Sequence, residues 1–594
     1  MPWLQTDVGE HRLARRSAER EGGTQILVAG RRLLQNCGDR DYTRTVVPDG
    51  DTAEPATARP WLRRVCIAAL FTLLTVVMTW PMARVLGSRS VEHHDVFFNV
   101  WRLAWIEHAL ATSSVLFDGN QFYPERQVLA YSDAMLVEGL IAAPLFAAGL
   151  KPLLIHNLML LGAIAASGVG MFTLARHLSR STGAAIVAGL VFAFAPYRFG
   201  HIMHMELQWT MWIPWAFWAM QRTLETGRLR FGLLTGAFLA LQIGSSIYYG
   251  IFLAILLTVA GAVQLVRVAP SQRLKTIGVL AAGALVAASV AIPYSKPYRD
   301  ATGRVGIRAI PEILMHSAKP SDYLLVSEGN LLYGPTHAAP AELALFPGYV
   351  ALVLALVAVV AIRPSAVMFS YVIGLLLAFD LSLGLNGIVY PVLHEHVGVF
   401  KGLRAPARAS IFFLMFLAAL AARGCAVALR PLPVMARMGA IAAIGAVALL
   451  EYWVVPLRLW PYPERPALYA FLARQPDGIV AEFPVPRVDL LPGHDARYIY
   501  MSIFHWKRLV NGYSGYYPPS YLARMERLAT FPDAGSIAQL RADGVRYVIV
   551  HEGSYIRAGE SAAIVTALAR EGLKPMTRLH DGWAAATLFE LSSP

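Results

Sequence analysis

Two carboxylates and two imidazoles stand side by side in the stretch Glu92-His93-His94-Asp95. A carboxylate here could orient or deprotonate an acceptor hydroxyl, or it could hold a divalent cation against a phosphate leaving group. The metal signal is weak, because side chains of adjacent residues in an extended chain point to opposite faces. The sequence leaves two interpretations open: a group that does chemistry, or a solvated polar loop.

The residues that follow this cluster, up to Leu110, have the spacing of an amphipathic helix. That pattern predicts a helix lying in the membrane interface. Such a helix beside an acidic cluster is what a membrane enzyme needs if it handles a lipid-linked substrate. The predicted apolar face contains Val96, Phe97, Val100, Trp101, Leu103 and Ala104, and the predicted polar face contains Asn99, Arg102, Glu107 and His108.

A second polar cluster lies within Ala195–Trp209, at the predicted outer end of two short apolar runs. If this segment is helical, His201 and His204 lie one turn apart near Glu206. Ionisable residues at membrane depth are costly and usually mark a substrate path. The alternative is that Arg198 and the histidines anchor helix ends at the level of the lipid headgroups.

A third cluster places Lys401, Arg404 and Arg408 on the predicted outer side, against the trend of the other basic residues. These cations need a counter-charge. A lipid phosphate or pyrophosphate fits, because arginine offers paired donors to phosphate oxygens. Pairing with anionic headgroups, or with Glu395 and Asp322, is the competing structural interpretation.

The composition identifies an integral membrane protein. Of 594 residues, 56% are hydrophobic and only 15% are charged, and the mean hydropathy is +0.47. The net charge of +13 comes mainly from arginines in the N-terminal tail and at helix ends, so nucleic-acid binding is not expected. The three scattered cysteines support neither a disulfide framework nor a cysteine metal site. The sequence contains no Walker loop, dinucleotide fingerprint, HExxH motif or nucleophile elbow.

Apolar runs predict an α-helical polytopic protein with about eleven spans, and Met135–Leu150 is predicted to be a re-entrant or interfacial segment. Basic residues then place the N-terminus in the cytoplasm and the C-terminus outside, in a multi-pass protein of the cell membrane. The predicted runs are Val65–Ala83, Leu153–Ala175, Gly183–Ala195, Leu207–Met220, Phe231–Ile243, Tyr248–Val266, Thr276–Ile292, Leu343–Ile362, Ala366–Leu383, Ile411–Leu429 and Gly439–Pro456.

The predicted domains are a disordered cytoplasmic tail (1–60), a transmembrane domain (61–459) and a soluble extracytoplasmic α/β domain (460–594). The transmembrane domain is expected to carry external loops at 87–133 and 293–342. In the soluble domain we predict strands at Ile479–Phe483, Tyr547–His551 and Ala586–Leu591, and helices at Ser520–Ala529, Ser536–Ala542 and Ser561–Glu571. Its aromatic-rich run from Tyr498 to Tyr517 is interpreted mainly as core packing, with a sugar site as the alternative.

Three stretches carry a resemblance to a known class. The runs FDGNQFYPERQVLAYSD (Phe117–Asp133), AFAPYRFGHIMHMELQW and FKGLRAPAR resemble bacterial multi-span proteins grouped near the GT-C integral-membrane glycosyltransferases. That class contains protein O-mannosyltransferases, lipid A aminoarabinose transferases and the catalytic subunit of oligosaccharyltransferase. The Trp-Trp-Asp motif of oligosaccharyltransferases is missing, so glycosylation of sequons is not expected.

The resemblance implies roles for particular residues. An acid in the first external loop near the acceptor or a metal matches Asp95, with Glu92 as second choice. A second acid at the outer end of a later span matches Glu206, and basic residues that bind the donor phosphate match Arg404 and Arg408. Two histidines separate Glu92 from Asp95, where the class often has a tight acid pair, which puts metal dependence in doubt. Lys401, His204, Arg198 and His108 complete the candidate substrate-binding set, and Asp95 and His94 are the candidate ligands of Mg²⁺ or Mn²⁺.

These expectations favour transfer of a sugar from a polyprenyl-phosphate donor to an extracytoplasmic glycan, lipid or protein, with membrane lipids as further partners. Asp95 would be base or metal ligand, Glu206 would assist, and Arg404 and Arg408 would stabilise the leaving phosphate. The alternative is a non-catalytic lipid or glycan transporter, or an assembly protein of the cell envelope, that binds in the same groove. The predicted re-entrant or interfacial segment at Met135–Leu150 favours the transport alternative, because discontinuous helices are typical of transporters.

Overall fold

The computed structural model describes residues 60–591 apart from 556, 558 and 572, so the predicted tail up to residue 59 lies outside the described residues. Helices form most of the chain before residue 459. They are α1 (Pro60–Met78), α2 (His94–Thr112), α3 (Leu136–Ala147), α4 (Pro152–Ser179), α5 (Thr182–Phe194), α6 (Pro196–Gly200), α7 (Met205–Gln208), α8 (Trp212–Thr226), α9 (Leu229–Ser245), α10 (Ile247–Leu265), α11 (Pro270–Val305), α12 (Ile310–Met315), α13 (Gly334–His337), α14 (Tyr349–Ala361), α15 (Ala366–Leu383), α16 (Val389–His396), α17 (Ser410–Ala428) and α18 (Val434–Glu451).

Each of the eleven predicted apolar runs contains a helix. Within the described chain, eight helical segments are long and apolar enough to cross a membrane, and α3, α9 and α14 are shorter apolar helices. The membrane class is therefore confirmed, whereas the number of crossings stays a prediction. The eight segments are Trp61–Met78, Pro152–Ser179, Thr182–Gly200, Ile247–Leu265, Pro270–Val305, Ala366–Asn386, Pro406–Ala428 and Val434–Glu451.

Polar contacts define two opposite ends of the helix bundle. At one end, which we call the domain end, Asn157 in the first turns of α4 donates to the carbonyls of Leu86 and Arg89. At the other end of α4, which we call the far end, His177 contacts Glu225 at the end of α8. The C-terminal domain and the acidic clusters found in the sequence all lie at the domain end.

Close packing of α9 on α11 depends on small residues. A Cβ atom at Gly236 would lie 1.9 Å from the carbonyl oxygen of Gly283, and one at Gly232 would lie 2.3 Å from that of Val279. Only glycine permits two helix backbones to approach this closely, a packing mode common between membrane helices. The contact fixes α11 as one wall of the cavity described below.

Helix α11 is longer than the sequence predicted. The apolar run was expected to end at Ile292 and lead into an external loop, but the helix continues through Pro293 and Pro297 to Val305. A proline removes one helical hydrogen bond without ending a helix whose neighbours hold it in place. Tyr294 is buried, and the hydroxyl of Tyr298 accepts a hydrogen bond from the Ala134 backbone. The extension therefore stands as a wall at the domain end.

The exposed polar face predicted for α2 is wrong, whereas the position of this helix in the membrane interface stays a prediction. The helix forms, but its predicted polar face is not exposed, because Asn99 and Arg102 are fully buried. Phe97 packs on Tyr500 with ring centroids 5.4 Å apart, and Trp105 packs on Trp506 at 5.8 Å. The helix is thus buried between the bundle and the C-terminal domain. This domain covers the face that was expected to meet water and headgroups.

The C-terminal domain is a four-stranded sheet with flanking helices, and all predicted strands and helices are confirmed within two residues at each end. In spatial order the strands are β3 (Ile479–Phe483), β4 (Val545–His551), β6 (Ala585–Glu590) and β5 (Lys574–His580), with β3 parallel to β4 and the other pairs antiparallel. The sequence missed β5, which lies at the sheet edge, where its Pro575 is tolerated. The elements are β1 (Arg89–Ser90), which pairs antiparallel with β2 (Trp460–Pro461), then α19 (Ala467–Leu472), β3 (Ile479–Phe483), α20 (Asp495–Ser502), α21 (Pro519–Leu528), α22 (Ala534–Ala542), β4 (Val545–His551), α23 (Glu560–Arg570), β5 (Lys574–His580) and β6 (Ala585–Glu590).

Candidate active site

A cavity of about 850 Å³ opens at the domain end of the bundle. One wall is apolar: Ile247, Ile251 and Ile255 repeat at every fourth position of α10, and Ala291 lies opposite on α11. Residues four apart share one face of a helix, so these isoleucines form a stripe along the cavity. The apolar wall runs along two helices that are long enough to cross the membrane.

Arg299 of α11 lines the cavity, and so does a group of three arginines, Arg308, Arg404 and Arg408, which we call its cationic end. The three lie together, because Arg308 and Arg404 both contact Glu312, and Arg404 and Arg408 both contact Tyr248. Arg408 forms a double hydrogen bond with Glu342, the shorter contact being 2.6 Å. Arg308 lies 3.1 Å from Glu312 and 3.2 Å above the ring of Tyr516. Arg404 has only a 3.9 Å contact to Glu312, and a third of its side chain is exposed. Of the three, Arg404 has the most donor capacity left for a ligand.

Two buried carboxylates, Asp133 and Glu206, also line the cavity. The guanidinium of Arg102 lies between them: it donates to Glu206 Oε2 at 3.1 Å and to the backbone carbonyl of Asp133. Asp133 itself accepts hydrogen bonds from the Ile247 backbone at 2.9 Å and from the Ser246 hydroxyl at 3.2 Å. Burial, with a further contribution from the charge of Glu206, raises the pKa of Asp133 to about 6.

Asp95 lies near this cavity and does not line it. Its Oδ2 is 2.9 Å from Nε2 of His204, and its Oδ1 accepts a 2.7 Å hydrogen bond from the Tyr513 hydroxyl. His93 Nδ1 is 3.3 Å away, and 17% of the Asp95 side chain is exposed. Burial alone would raise the pKa of Asp95, but the charge and hydrogen bonds of His204 and His93 hold it well below its usual range. Asp95 is therefore an ionised acceptor.

A path of polar contacts connects Asp95 to the cavity. Nδ1 of His204 lies 3.1 Å from Nδ1 of His201, whose Nε2 is 3.6 Å from Glu342. Glu342 in turn holds Arg408. Burial lowers the pKa of His204, but the charge of Asp95 outweighs it, so that pKa is raised overall. Charge at Asp95 is thus linked to charge at the cationic end of the cavity.

The other residues predicted from sequence lie in different surroundings. Glu92 is exposed, and His94 is half-buried beside Tyr513 with ring centroids 6.1 Å apart. His108 stacks on Trp506 at 4.2 Å. Arg198 is buried and donates to Thr210, Ser167 and the Gln208 carbonyl. The backbone carbonyl of Lys401 accepts from Arg308, and its side chain does not line the cavity.

The structure brings Glu206, Arg404 and Arg408 into one cavity, with Asp95 and His204 joined to it. Several site residues had not been assigned from the sequence: Asp133, Arg102, Arg308, Glu342 and Tyr513. A signal existed for Arg102, because an arginine inside the apolar stretch WRLAW needs a buried partner. Asp133 ends the run that carried the family resemblance, but the groups that hydrogen-bond to its side chain, on Ser246 and Ile247, are 113 and 114 positions away.

The surroundings of Asp95 do not fit the expected Mg²⁺ or Mn²⁺ ion. Both oxygens of Asp95 already face a hydroxyl or imidazole donor, and His94 Nδ1 is buried without a partner. Magnesium prefers several oxygen ligands in octahedral geometry. Within the described part of the chain, no group of three histidine, cysteine or acidic side chains is placed to hold a metal ion.

No family model matches this sequence, and no curated protein matches it either. Solved structures do. The arabinofuranosyltransferase AftD from Mycobacteria aligns with 90% of this chain at 14% identity and a TM-score of 0.61, and this chain spans 40% of the length of AftD. The archaeal oligosaccharyltransferase AglB from Archaeoglobus fulgidus (11% identity, 90% and 74% of the two chains, TM-score 0.48) and ArnT from Cupriavidus metallidurans (12%, 90% and 98%, 0.38) are more distant in structure. The chain has a GT-C-like fold, the fold of a class of membrane glycosyltransferases.

Proposed function

We propose that this protein is a membrane glycosyltransferase that moves a sugar from a polyprenyl-phosphate donor to an acceptor hydroxyl. One observation carries the proposal: a single cavity combines the apolar isoleucine stripe of α10 with a cluster of three arginines, Arg308, Arg404 and Arg408. An isoprenoid phosphate has the same two-part character. The fold shared with AftD supports this class of reaction.

The donor fits the cavity in one direction. Its isoprenoid chain lies against the isoleucine stripe of α10, where burial of apolar surface stabilises it by roughly 25 cal/mol per Å². Its phosphate lies between Arg404 and Arg308, which supply charge-assisted hydrogen bonds. Arg408 contributes less net charge, because Glu342 already neutralises it.

The reaction is a displacement at the anomeric carbon. The acceptor oxygen forms a bond to that carbon while the bond from carbon to phosphate oxygen breaks, and the electron pair of that bond stays on the phosphate. Arg404 and Arg308 stabilise the negative charge that develops there. The hydroxyl proton passes to the carboxylate of Asp95, whose low pKa suffices because the attacking hydroxyl becomes strongly acidic as its new bond forms. Glu206 assists by holding Arg102, and thereby Asp133, in place.

A divalent cation bound by Asp95 and His94 stays a prediction from the sequence, and no step proposed above passes through it. Chelation tests it directly: transfer by the purified protein should persist in excess EDTA. Loss of transfer that Mg²⁺ or Mn²⁺ restores would assign the cation a role and require a rearranged loop at Asp95.

The experiment that tests the function uses the full chain, purified into lipid and supplied with radiolabelled polyprenyl-phosphate sugars and a membrane extract as acceptor. Wild type is compared with Asp95→Asn, which keeps the shape of the side chain, and with Glu395→Gln. Glu395 is a matched control because its exposed side chain lies on α16 and lines no part of the cavity.

Label that moves to a new product with wild type and Glu395→Gln, but not with Asp95→Asn, supports the transferase and its catalytic acid. Saturable lipid binding without transfer from any donor would favour the transporter or assembly alternative. Undiminished transfer by Asp95→Asn would remove Asp95 from the mechanism and turn attention to Asp133, the cavity carboxylate with a pKa near 6.

A further inference from the structure

A second, smaller cavity of about 110 Å³ lies in the C-terminal domain, beside α20 and the turn between β5 and β6. At about 30 Å³ per liquid water, it holds roughly four waters, which is the space of a carboxylate or a phosphate group and less than that of a hexose. Its lining includes His494, Arg497, Tyr498, His551, Asp581 and Trp583.

Arg497 is the principal unneutralised charge of this pocket. Its guanidinium lies 5.2 Å from the centre of the Trp583 ring, a contact that leaves its N–H groups free. The acidic group of the pocket is occupied: Asp581 accepts from the backbones of Trp583 and Ala584, and its other oxygen lies 2.6 Å from Nδ1 of His551. The free groups of the pocket are therefore mainly donors.

His494 adds no competing charge to the pocket. Burial, together with the nearby charges of Arg497 and His551, lowers the pKa of His494 to about 4. It is therefore neutral near pH 7, and its ring is hydrogen-bonded to the backbone of Ser554, so the donors for a ligand come from Arg497. A guanidinium with free donors next to a neutral imidazole and an indole face suits a small anionic group.

The position of the pocket relates it to Asp95. Trp583 contacts Phe97 on α2, with ring centroids 6.0 Å apart. Phe97 and His94 are three positions apart and so share a side of α2, whereas Asp95 points toward His204 and the donor cavity. His94 Nδ1 is buried without a hydrogen-bond partner. The pocket and the donor cavity therefore flank the first turn of α2.

We propose that the pocket formed by Arg497, His494 and Trp583 binds a carboxylate or phosphate group of the acceptor, across α2 from the donor. This acceptor role rests on the function proposed above. Anchoring one group of the acceptor here would hold a neighbouring hydroxyl near Asp95, which converts an encounter into an oriented reaction. The acceptor is accordingly an anionic molecule.

The binding site is tested without any assumption about catalysis. The full chain in lipid nanodiscs is exposed to acetate or inorganic phosphate, with chloride at equal ionic strength as reference, and backbone hydrogen exchange is followed. We expect saturable protection in peptides covering residues 492–502 and 580–585. Arg497→Gln should abolish it, provided that this variant unfolds at the wild-type temperature.

Two variants separate this pocket from other anion-binding groups. Arg487→Gln changes an exposed arginine of the same domain, paired with Asp489, and should keep the protection. Arg404→Gln removes a cation of the donor cavity and should also keep it. Protection by acetate alone assigns a carboxylate, and protection by phosphate alone assigns a phosphate. No protection by either anion, or protection that survives Arg497→Gln, overturns the proposal.

The acceptor role has its own readout. In the transfer assay, Arg497→Gln should raise the KM for acceptor about tenfold or more while the affinity for the polyprenyl-phosphate donor stays unchanged. An unchanged KM together with clear anion protection would leave an anion site and remove the acceptor role. If wild type transfers no sugar at all, the proposed function fails, and the exchange experiment still decides whether the pocket binds anions.

Discussion

Two groups of side chains in this protein combine carboxylates with imidazoles, and they differ in where their polar contacts lead. In the C-terminal domain, His551 lies between Glu482 at 2.8 Å and Asp581 at 2.6 Å. At the candidate active site, His204 lies 2.9 Å from Asp95 and 3.1 Å from His201. The C-terminal group is buried, whereas His204 and Asp95 keep 15% and 17% of their side chains exposed, and only their group continues to a large cavity.

The C-terminal group closes on itself. Glu482 belongs to β3, His551 ends β4, and Asp581 precedes β6, so the imidazole joins three neighbouring parts of one sheet. Tyr469 donates a further hydrogen bond to Glu482. The Asp95 group, in contrast, continues through His201 and Glu342 to Arg408 at the cavity. A closed polar network specifies a fold, whereas an open one can respond to a ligand.

The largest predicted effect is on the rate of sugar transfer, from a substitution in the group of Asp95, His204 and His201. Asp95→Asn should lower the rate of sugar transfer by roughly 10²–10⁴-fold, the usual contribution of a positioned base. The amide keeps the hydrogen bond from Tyr513, so the unfolding temperature should change little. Initial rates and thermal unfolding of the same preparation measure both. A rate within threefold of wild type would show that the open network does no chemistry.

Substitution in the C-terminal group should have the opposite effect, because it should lower stability and leave ligand binding unchanged. His551→Leu leaves Glu482 and Asp581 buried without their cation, which should lower the free energy of unfolding by about 3–5 kcal/mol. Affinity for the polyprenyl-phosphate lipid should stay at the wild-type value, because the donor cavity is formed elsewhere. Denaturant unfolding and lipid binding provide the two measurements. A loss of stability below 1 kcal/mol would mean that the network is not what holds the sheet together.

The same group predicts how stability depends on pH. Burial lowers the pKa of His551, but its hydrogen bonds and charge pairs with Asp581 and Glu482 raise it to about 9, above the 6.5 of an unfolded histidine. Its contribution is therefore fully present below about pH 6.5 and is lost as pH rises through about 9. That loss is on the order of 3 kcal/mol, at 1.36 kcal/mol for each pKa unit. Unfolding curves of wild type between pH 6 and 10 should fall by this amount, and those of His551→Leu should be nearly flat.

The contrast also explains which parts of the molecule the sequence could predict. Strand Ile479–Phe483 was predicted at its observed bounds, because a short run with four apolar residues out of five, between turn signals, defines a buried strand locally. The eleven apolar runs likewise predicted helices, since composition alone decides which segments a membrane can accept. The role of α2 could not be predicted in this way. Its polar face was assigned to water, and only tertiary packing shows Arg102 buried against Glu206, 104 positions away.

Site residues followed the same division. Glu206 was predicted because an ionisable residue at membrane depth is costly, and Arg408 because it departs from the side on which the other basic residues lie. Both line the cavity. Asp133 and Tyr513 were not assigned. Asp133 is recognisable as a site residue only by the hydrogen bonds that it accepts from Ile247 and Ser246. Tyr513 is recognisable only by its hydrogen bond to Asp95, which lies 418 positions away along the chain. Partners so distant in sequence leave no local pattern.

The smallest predicted effect is on ligand binding at the cationic end of the cavity, where the contacts that begin at Asp95 end. Arg404→Gln should weaken binding of a polyprenyl phosphate about tenfold, because a charge-assisted hydrogen bond contributes roughly 1.5–3 kcal/mol and part of this is recovered by the amide. Lys401→Gln should weaken it less, since the Lys401 side chain lies outside the cavity although the sequence assigned both residues to the donor. Titration of fluorescent polyprenyl phosphate into both variants in nanodiscs measures the difference. Equal losses would mean that the two cations act through a general positive potential and that the phosphate has no fixed place between Arg404 and Arg308.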